Sequence, residues 1–311
     1  MQEETCSRLS LEAGEPLAGS AAETEYWVVL EHTAAWGPKG LDDSGLPVEV
    51  VQHVSAFVAA QPRVRVQLIR RPDGRAGAGD AKESSPEAAA ASRRVLYLAR
   101  GTPGAMALWR TSLARVEDCL AVDFAGWAAG AEAVGFARVT EPLYLVCVHG
   151  RRDRCCAQRG MPVFSAFAAQ VGQAAWQTSH LGGHRFAATL VVLPAGICYG
   201  RVSADEVPAL IEAHARDQLH ALDKLRGRCA YPSEAQVADV ALREQLAEHG
   251  LDAVRWLDSD KRDDGVYVRL RHEPSATEHS VRVTHRALPA FPQSCGASHR
   301  PGDALVALSV R

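Results

Sequence analysis

The sequence predicts an α/β protein, and three features of the chain support this prediction. Continuous apolar runs of strand length at 143–148 and 187–193 predict strands that are buried on both faces. Apolar residues at helical spacing follow the first run, at Phe164, Phe167 and Val171. Strand and helix signals then alternate along 311 residues, a length that favours two or three domains over one large core.

The first unit, at 1–138, combines strands with a helix. Residues rich in β-formers at 25–31 predict a strand, and apolar spacing predicts a helix at 47–60. Glycine, alanine, serine and charged residues fill 72–92, which predicts a flexible surface loop. The remaining strands of this α/β unit are expected at 64–69, 94–99 and 106–110.

The second unit, at 139–227, begins with a strand and its helix. The strand at 187–193 is followed by a turn and a hairpin partner at 197–202. Ser203, with Glu206 three residues later, has the pattern of a capping box and predicts the start of a further helix. The order strand, loop, helix, loop, hairpin, helix is compatible with a thioredoxin-like α/β layer.

The third unit, at 228–311, is predicted to be an α+β domain. Ser233 and Gln236 form the pattern of a second capping box, which predicts a helix with Val237 and Val240 on its apolar face. We find no clear internal repeat, although the first two units are both of the α/β type. Four strands are expected after the helix, at 253–257, 265–270, 279–284 and 305–310.

Composition and charge narrow the classes of function. The formal net charge of −3 gives no electrostatic basis for binding nucleic acid. No long uncharged apolar run is present, so we expect no spanning helix and no membrane partner. The acidic start at 1–6 lacks the apolar core of a signal peptide, so we expect a cytoplasmic protein.

The chain contains eight cysteines. Without an export signal, they favour buried thiols, metal ligands or redox groups over a disulfide framework. Cys119, Cys198 and Cys229 have apolar or mixed neighbours and are expected to be ordinary buried residues. Cys6 and Cys295 lie near the two ends of the sequence, which offers them no partner.

Two motifs place metal-binding side chains on loops beside buried strands. In the first, Cys147 ends a strand and Cys156 opens the next helix, whose N-terminal N–H groups favour a thiolate at Cys156. In the second, His180 and His184 flank two glycines at 182–183, which predict a tight loop rather than a helix. Such glycines would let the backbone approach a bulky inorganic core.

The residues alone leave four interpretations of this C-x8-C and H-x3-H pair open. The side chains could be buried thiols and hydrogen-bonded histidines without a ligand. They could bind a structural zinc, although eight residues between the cysteines exceed the spacing of one zinc knuckle. Cys155 and Cys156 could be a redox pair, although adjacent cysteines cannot form an ordinary disulfide without strain. The fourth interpretation is an iron–sulfur centre with mixed ligands.

Several short blocks of the sequence, in their order and spacing, resemble the sucrase/ferredoxin-like family. A looser likeness at 27–31 and 36–37 extends the resemblance over most of the chain. The specific blocks are Cys147-Val148-His149-Gly150 with Arg152-Asp153 and Cys155-Cys156, then Ser179-His180-Leu181-Gly182-Gly183-His184-Arg185-Phe186-Ala187, then Leu193-Pro194 and Tyr199-Gly200-Arg201.

The resemblance implies a thioredoxin-like ferredoxin domain flanked by smaller α/β units. In members of the family with established cluster chemistry, two cysteines and two histidines bind a [2Fe–2S] cluster outside the Rieske fold. The ligands that motif position implies here are Cys147, Cys156, His180 and His184, with Cys155 as a competitor of Cys156. The residues expected around these ligands are His149, Arg152, Cys155, Gly182, Gly183 and Arg185.

Such a cluster would be less negative than an all-cysteine cluster, because two of its four ligands are neutral. We therefore expect a reduction potential above that of ordinary ferredoxins, raised further by the arginines at 151, 152, 154 and 185. Because a histidine ligand can take up a proton, we also expect the potential to depend on pH.

The sequence therefore predicts a one-electron carrier or redox sensor that works with a separate, unidentified redox partner. No G-x-G-x-x-G motif follows a strand to indicate a nicotinamide or flavin site. The alternatives are a cluster-dependent reductase of a small oxidant and a zinc-stabilised interaction module. No catalytic residue is assigned, and sucrose hydrolysis is unsupported because no distinctive pair of carboxylates is present.

Overall fold

The computed structural model describes residues 4–71, 94–102 and 105–311, and the predicted loop at 72–92 lies outside them. Within these residues the strands form a ten-stranded sheet and a separate four-stranded antiparallel sheet. Helices lie beside both sheets, so the α/β class that the sequence predicts is confirmed.

The first half of the large sheet contains all the elements predicted for 1–138 that the structure describes. A short N-terminal helix and a short fifth strand are additional. The elements are α1 (Cys6–Glu12), β1 (Tyr26–Glu31), α2 (Val48–Ala60), β2 (Val64–Arg70), β3 (Arg94–Thr102), β4 (Ala105–Leu113), α3 (Phe124–Ala128) and β5 (Ala137–Val139).

The second half contains two strands that the sequence did not predict. The first is only four residues long and includes Gln177 and Thr178, which are buried although they are polar. Because these two residues are polar, the strand has no continuous apolar run from which it could be predicted. The elements are β6 (Leu143–Cys147), α4 (Arg154–Val171), β7 (Ala175–Thr178), β8 (Leu190–Leu193), β9 (Ile197–Tyr199), α5 (Val207–Ala215) and β10 (Leu225–Arg228).

The large sheet consists of two halves with equivalent strand orders, which run outward from the centre of the sheet in opposite directions. The full order is β10-β9-β8-β6-β7-β2-β1-β3-β4-β5. In each half the first two strands are parallel, and the third, fourth and fifth are each antiparallel to the preceding neighbour in the sheet. This is the thioredoxin-like order with one added edge strand, so the two α/β units share a topology that the sequence alone did not reveal.

The two halves join at their central strands. β2 and β7 pair antiparallel, with Ile69 opposite Thr178 and Arg70 opposite Gln177. Buried Gln67 reinforces this seam, because its side-chain oxygen accepts hydrogen bonds from the hydroxyls of Thr178 at 3.1 Å and Ser179 at 3.0 Å. The sheet therefore continues without a break across position 138.

The C-terminal unit has its own sheet and core. Val237 and Leu242 of its helix pack with Val268 and Val281 from the sheet. All four of its strands are longer than predicted. The elements are α6 (Ser233–Leu246), β11 (Val254–Arg262), β12 (Gly265–His272), β13 (Thr277–Pro292) and β14 (His299–Val310).

The two predicted capping boxes have different outcomes. Ser203 and Glu206 form one, with the Ser203 N–H donating to the Glu206 carboxylate at 2.8 Å. The box predicted for α6 is wrong, because the cap residue is Pro232 and Gln236 is buried. The Gln236 amide instead donates to backbone carbonyls of Ala21 and Tyr231, so it joins the N-terminal segment to α6.

In the part of the chain that the structure describes, no helix combines the length and apolar character needed to cross a bilayer.

Candidate metal centre

The strand β6 and the helix α4 bring the two cysteines of the first motif together. β6 ends at Cys147, and α4 carries Cys156 in its first turn. Gly160 lies one turn further along α4 against the carbonyl oxygen of Cys147, where a Cβ would collide with that oxygen. The absence of a side chain at Gly160 therefore allows the helix to approach the end of the strand closely.

Three of the predicted ligands converge in a buried cluster. Ligand atoms of Cys147, Cys156 and His180 all lie within 4.8 Å of one another. The Cys156 Sγ lies 3.7 Å from Nδ1 of His180. Both cysteines are 1% exposed, so water is largely excluded from the two thiols.

His184 lies beside this cluster. Its ring stacks on that of His180, with ring centroids 5.2 Å apart and an interplanar angle of 30°. Its Nε2 bonds to the carbonyl oxygen of Gln293 at 2.7 Å, so that nitrogen carries the proton. Its Nδ1 is buried and has no hydrogen-bond partner among the described residues, which leaves a free lone pair. Burial lowers the pKa of His184 and favours this neutral form.

His149, one of the residues expected around the ligands, holds the histidine loop in place. Its Nδ1 accepts the backbone N–H of His180 at 3.2 Å, and its Nε2 donates to the Gly37 carbonyl at 2.9 Å. The tautomer is therefore set by two backbone groups from different parts of the chain. Burial lowers the pKa of His149, which favours the neutral ring that this arrangement requires.

The two glycines of the histidine loop have left-handed backbone conformations. Gly182 has φ +88° and Gly183 has φ +70°. A Cβ on Gly183 would also meet the Arg226 guanidinium at 2.7 Å and the Phe186 ring at 2.9 Å. These glycines therefore allow a tight turn packed against Arg226, so positive φ and packing explain the residue type at these positions.

The arginines that the sequence suggested have several different surroundings. Arg151 and Arg152 are exposed, and the half-buried Arg154 donates to the carbonyl of Glu4. Arg185 forms an ion pair with Glu15 at 2.7 Å, and its charge contributes to the lowered pKa of His184. A role for Arg152 and Arg185 around the ligands therefore stays a prediction.

Two other arginines contact the histidine loop instead. Arg65 donates to the His180 carbonyl at 3.0 Å, and Arg226 donates to the Gly182 carbonyl at 2.9 Å. Neither guanidinium has a carboxylate partner in the ranges that the structure covers, and burial lowers the pKa of both, for Arg226 to about 10. Two arginines without carboxylate partners favour negative charge on the nearby thiols.

The thiols of Cys147 and Cys156 interact directly, and this interaction changes the pKa of both. A hydrogen bond from Cys156 holds the pKa of Cys147 well below its usual range, and the same bond raises the pKa of Cys156. The sequence predicted the thiolate at Cys156 because of the helix N-terminus. The structure reverses this assignment, because Cys156 is the donor in the pair and Asp153 places a negative charge nearby.

Cys155, which the sequence left as a competitor of Cys156, turns away from the cluster. Its thiol lies among those of Cys6 and Cys295 and the carboxylate of Asp153. Adjacent residues on a helix point in directions about 100° apart, which is why the two neighbouring cysteines face different groups. Cys119, Cys198 and Cys229 are buried, as expected.

The donor set and its surroundings suit a soft or borderline metal centre. Two thiols and two imidazoles are ligands of zinc and of iron–sulfur clusters. The free Nδ1 of His184 is the observation that fits a bound group, because an unpartnered buried acceptor otherwise costs about 1–3 kcal/mol.

The fold and site together define a protein of two thioredoxin-like units with a cysteine–histidine centre in the second unit. The profile of the family described as sucrase/ferredoxin-like matches residues 17–227. This range is more than half of the chain and includes both units and all four candidate ligands. The protein belongs to the sucrase/ferredoxin-like family.

One curated relative is similar over a shorter stretch. "Altered inheritance of mitochondria protein 32" of Meyerozyma guilliermondii is 29% identical to this chain over 99 residues. The matched part covers 29% of this chain and 35% of that protein, so it represents about a third of the relative's length. No solved structure matches the chain.

Sequence reasoning found His149 and the two glycines of the histidine loop but missed Gly160, Arg65 and Arg226. Gly160 did leave a signal, since a glycine inside a helix usually has a packing or functional reason. Arg65 and Arg226 left none, because they belong to β2 and β10, which are distant from the histidine motif in sequence.

Proposed function

We propose that this protein binds a [2Fe–2S] cluster through Cys147, Cys156, His180 and His184 and acts in electron transfer or redox sensing. One observation carries the proposal: the buried, unpartnered Nδ1 of His184 lies next to a three-residue cluster of donors. When bound, such a cluster would supply a one-electron redox couple.

The spacing of the donors favours a core larger than one ion. Metal–ligand distances in a tetrahedral zinc site are about 2.0–2.3 Å, so its ligands lie within about 4 Å of one another. Among the described residues, the group within 4.8 Å contains Cys147, Cys156 and His180 but not His184. A single zinc would require His184 to move, whereas a cluster of two irons offers ligand positions further apart.

The surrounding charges also support an anionic centre. Arg65 and Arg226 place positive charge behind the histidine loop, and both hold its carbonyl groups. We expect these charges to favour the reduced state, because reduction adds one negative charge. The pH dependence expected from the H-x3-H motif stays a prediction, and so does the cytoplasmic location.

Iron and acid-labile sulfide content, measured with the visible spectrum on anaerobically purified protein, test the proposal. We expect about two irons and two sulfides per chain. Cys156→Ala and His184→Ala should each alter the spectrum, whereas Cys119→Ala, which removes a buried thiol outside both cysteine groups, should not. A colourless protein after reconstitution, or one zinc in place of iron, would contradict the proposal and favour a zinc-stabilised interaction module.

A cleft beside the histidine loop supports a second candidate function. It has a volume of about 400 Å³ and is lined by Gly182, Gly183, Arg185 and Arg226, among others. A small anionic oxidant could bind there and be reduced through the cluster, with electrons supplied by a separate reductase. Reoxidation of the reduced protein that saturates with oxidant concentration would favour this reductase, and linear dependence would favour a carrier.

A further inference from the structure

A second group of thiols lies on the other side of the α4 N-terminus. Cys6 comes from α1, Cys155 from the first turn of α4, and Cys295 from the turn between β13 and β14. The sulfur of Cys155 lies 3.5 Å from that of Cys6 and 3.3 Å from that of Cys295, and the third separation is 3.6 Å. Three segments that are far apart in sequence therefore place their thiols in one triangle.

Asp153 completes the group with an oxygen donor. Its Oδ1 lies 3.7 Å from the sulfur of Cys6. Its Oδ2 accepts the backbone N–H of Cys295 at 2.9 Å and the hydroxyl of Ser294 at 2.8 Å, whereas Oδ1 accepts the N–H of Cys155 at 2.9 Å and the thiol of Cys6. Loss of the Cys6 proton on metal binding would free the Oδ1 lone pair that faces the thiols, and the backbone hydrogen bonds fix the orientation of the carboxylate.

These four donors match the ligand shell of one tetrahedral ion. Zinc–sulfur bonds of about 2.3 Å place the sulfurs of a tetrahedral site a little under 4 Å apart. The three separations of 3.3–3.6 Å are slightly shorter, so a modest opening of the triangle would admit the ion. A disulfide would join only two of the three thiols and would leave the third and the carboxylate without a function.

We propose that Cys6, Cys155, Cys295 and Asp153 form a second metal site, which binds a structural Zn²⁺. Thiolates select soft and borderline ions, and four protein ligands leave no position open for substrate. The ion would tie α1 and the β13–β14 turn of the C-terminal unit to α4. This proposal does not depend on the iron–sulfur proposal, because the two groups share no ligand.

The second site adjoins the first through two contacts. The carbonyl of Gln293, two residues before Cys295, accepts the Nε2–H of His184 at 2.7 Å. The Asp153 carboxylate lies 3.7 Å from the same nitrogen. The zinc would thus fix the turn that orients His184, and a disturbance of the zinc site should change the surroundings of that histidine.

Metal content of matched variants tests the proposal. We expect protein purified without chelators to carry about one zinc per chain at this site, and Cys6→Ser and Cys295→Ser each to lose it. The control Cys119→Ser should keep the zinc. Cys147→Ser should keep the zinc and lose the iron. The two proposals are therefore tested separately, because the iron–sulfur proposal depends on the iron content and this proposal depends on the zinc content.

X-ray absorption at the zinc edge of the unmodified protein gives a test that needs no variant. The proposal predicts a shell of three sulfurs and one oxygen, whereas zinc at the first group would show two sulfurs and two nitrogens. Wild-type protein without zinc, zinc retained in full by Cys6→Ser, or a disulfide joining two of Cys6, Cys155 and Cys295 would overturn the proposal.

Discussion

At the scale of single residues, Gly160 has the most direct effect on the position of a candidate ligand. Because Gly160 has no side chain, α4 can lie directly against the carbonyl of Cys147. The ligands themselves could be predicted from sequence, because cysteines and histidines at short spacing on loops are typical of metal sites. His149 could also be predicted from its motif, whereas Gly160, Arg65 and Arg226 could not, because their role depends on contacts between segments that fold together.

Gly160→Ala tests this packing. The added methyl group must push α4 away from β6, and overpacking of this kind typically costs about 1–3 kcal/mol. We therefore expect a lower free energy of unfolding and a loss of iron on purification, both measured against wild type. Ser165→Ala, an exposed change on the same helix, should leave stability and iron content nearly unchanged. Equal iron content in both variants would show that the close approach is not needed.

Arg65→Gln tests the charge behind the histidine loop. Arg65 contacts the candidate ligand His180 through its carbonyl at 3.0 Å, and at an effective dielectric constant of about 20 the loss of such a charge changes the reduction free energy by about 1–2 kcal/mol. The midpoint potential should therefore fall by several tens of millivolts. Arg152→Gln is the matched control, because exposed Arg152 is screened by solvent and should shift the potential little. A larger shift for Arg152→Gln than for Arg65→Gln would contradict this assignment.

At the scale of elements, α5 carries a buried histidine that the metal centre does not use. His214 bonds to the hydroxyl of Tyr199 on β9 at 2.9 Å. Burial lowers its pKa from 6.5 to about 4, with smaller contributions from the nearby positive charges of His220 and Arg228. The capping box at Ser203 and Glu206 predicted the start of this helix but could not show how deeply His214 is buried, which depends on packing against the sheet.

The pKa of His214 predicts an acid-dependent loss of stability. The folded protein holds the neutral ring, so the unfolded chain binds the proton more readily, and stability is lost as pH falls from about 6.5 towards about 4. The full difference is about 3 kcal/mol. Denaturation midpoints at several pH values should fall less steeply for His214→Gln than for wild type. The exposed control His299→Gln should follow wild type, and identical slopes for all three proteins would refute the prediction.

At the scale of the whole molecule, the two thioredoxin-like units form one sheet, and the four candidate ligands lie in the second unit. The strand β1 corresponds to β6. It ends at Glu31, which is followed by His32, whereas β6 ends at Cys147. The first three residues of α2 are Val48-Glu49-Val50, whereas those of α4 are Arg154-Cys155-Cys156. The sequence could predict both units but not their joining, because the seam between β2 and β7 is made largely by polar side chains.

Gln67→Met tests whether this seam supports the metal centre. The substitution leaves the hydroxyls of Thr178 and Ser179 without their buried acceptor, which should cost about 1–3 kcal/mol. Because Ser179 precedes His180, we also expect weaker retention of iron during dialysis. Gln158→Met, an exposed change on α4, serves as the control. Unchanged stability and iron retention would mean that the seam does not contribute to the site.

The most direct test of the central claim is pulsed electron paramagnetic resonance of the reduced protein. A [2Fe–2S] cluster held by Cys147, Cys156, His180 and His184 predicts a signal from one unpaired electron, with couplings to nitrogens of two histidines. His184→Ala should remove one of those couplings. No paramagnetic signal after reduction, or a signal without histidine nitrogen coupling, would contradict the account.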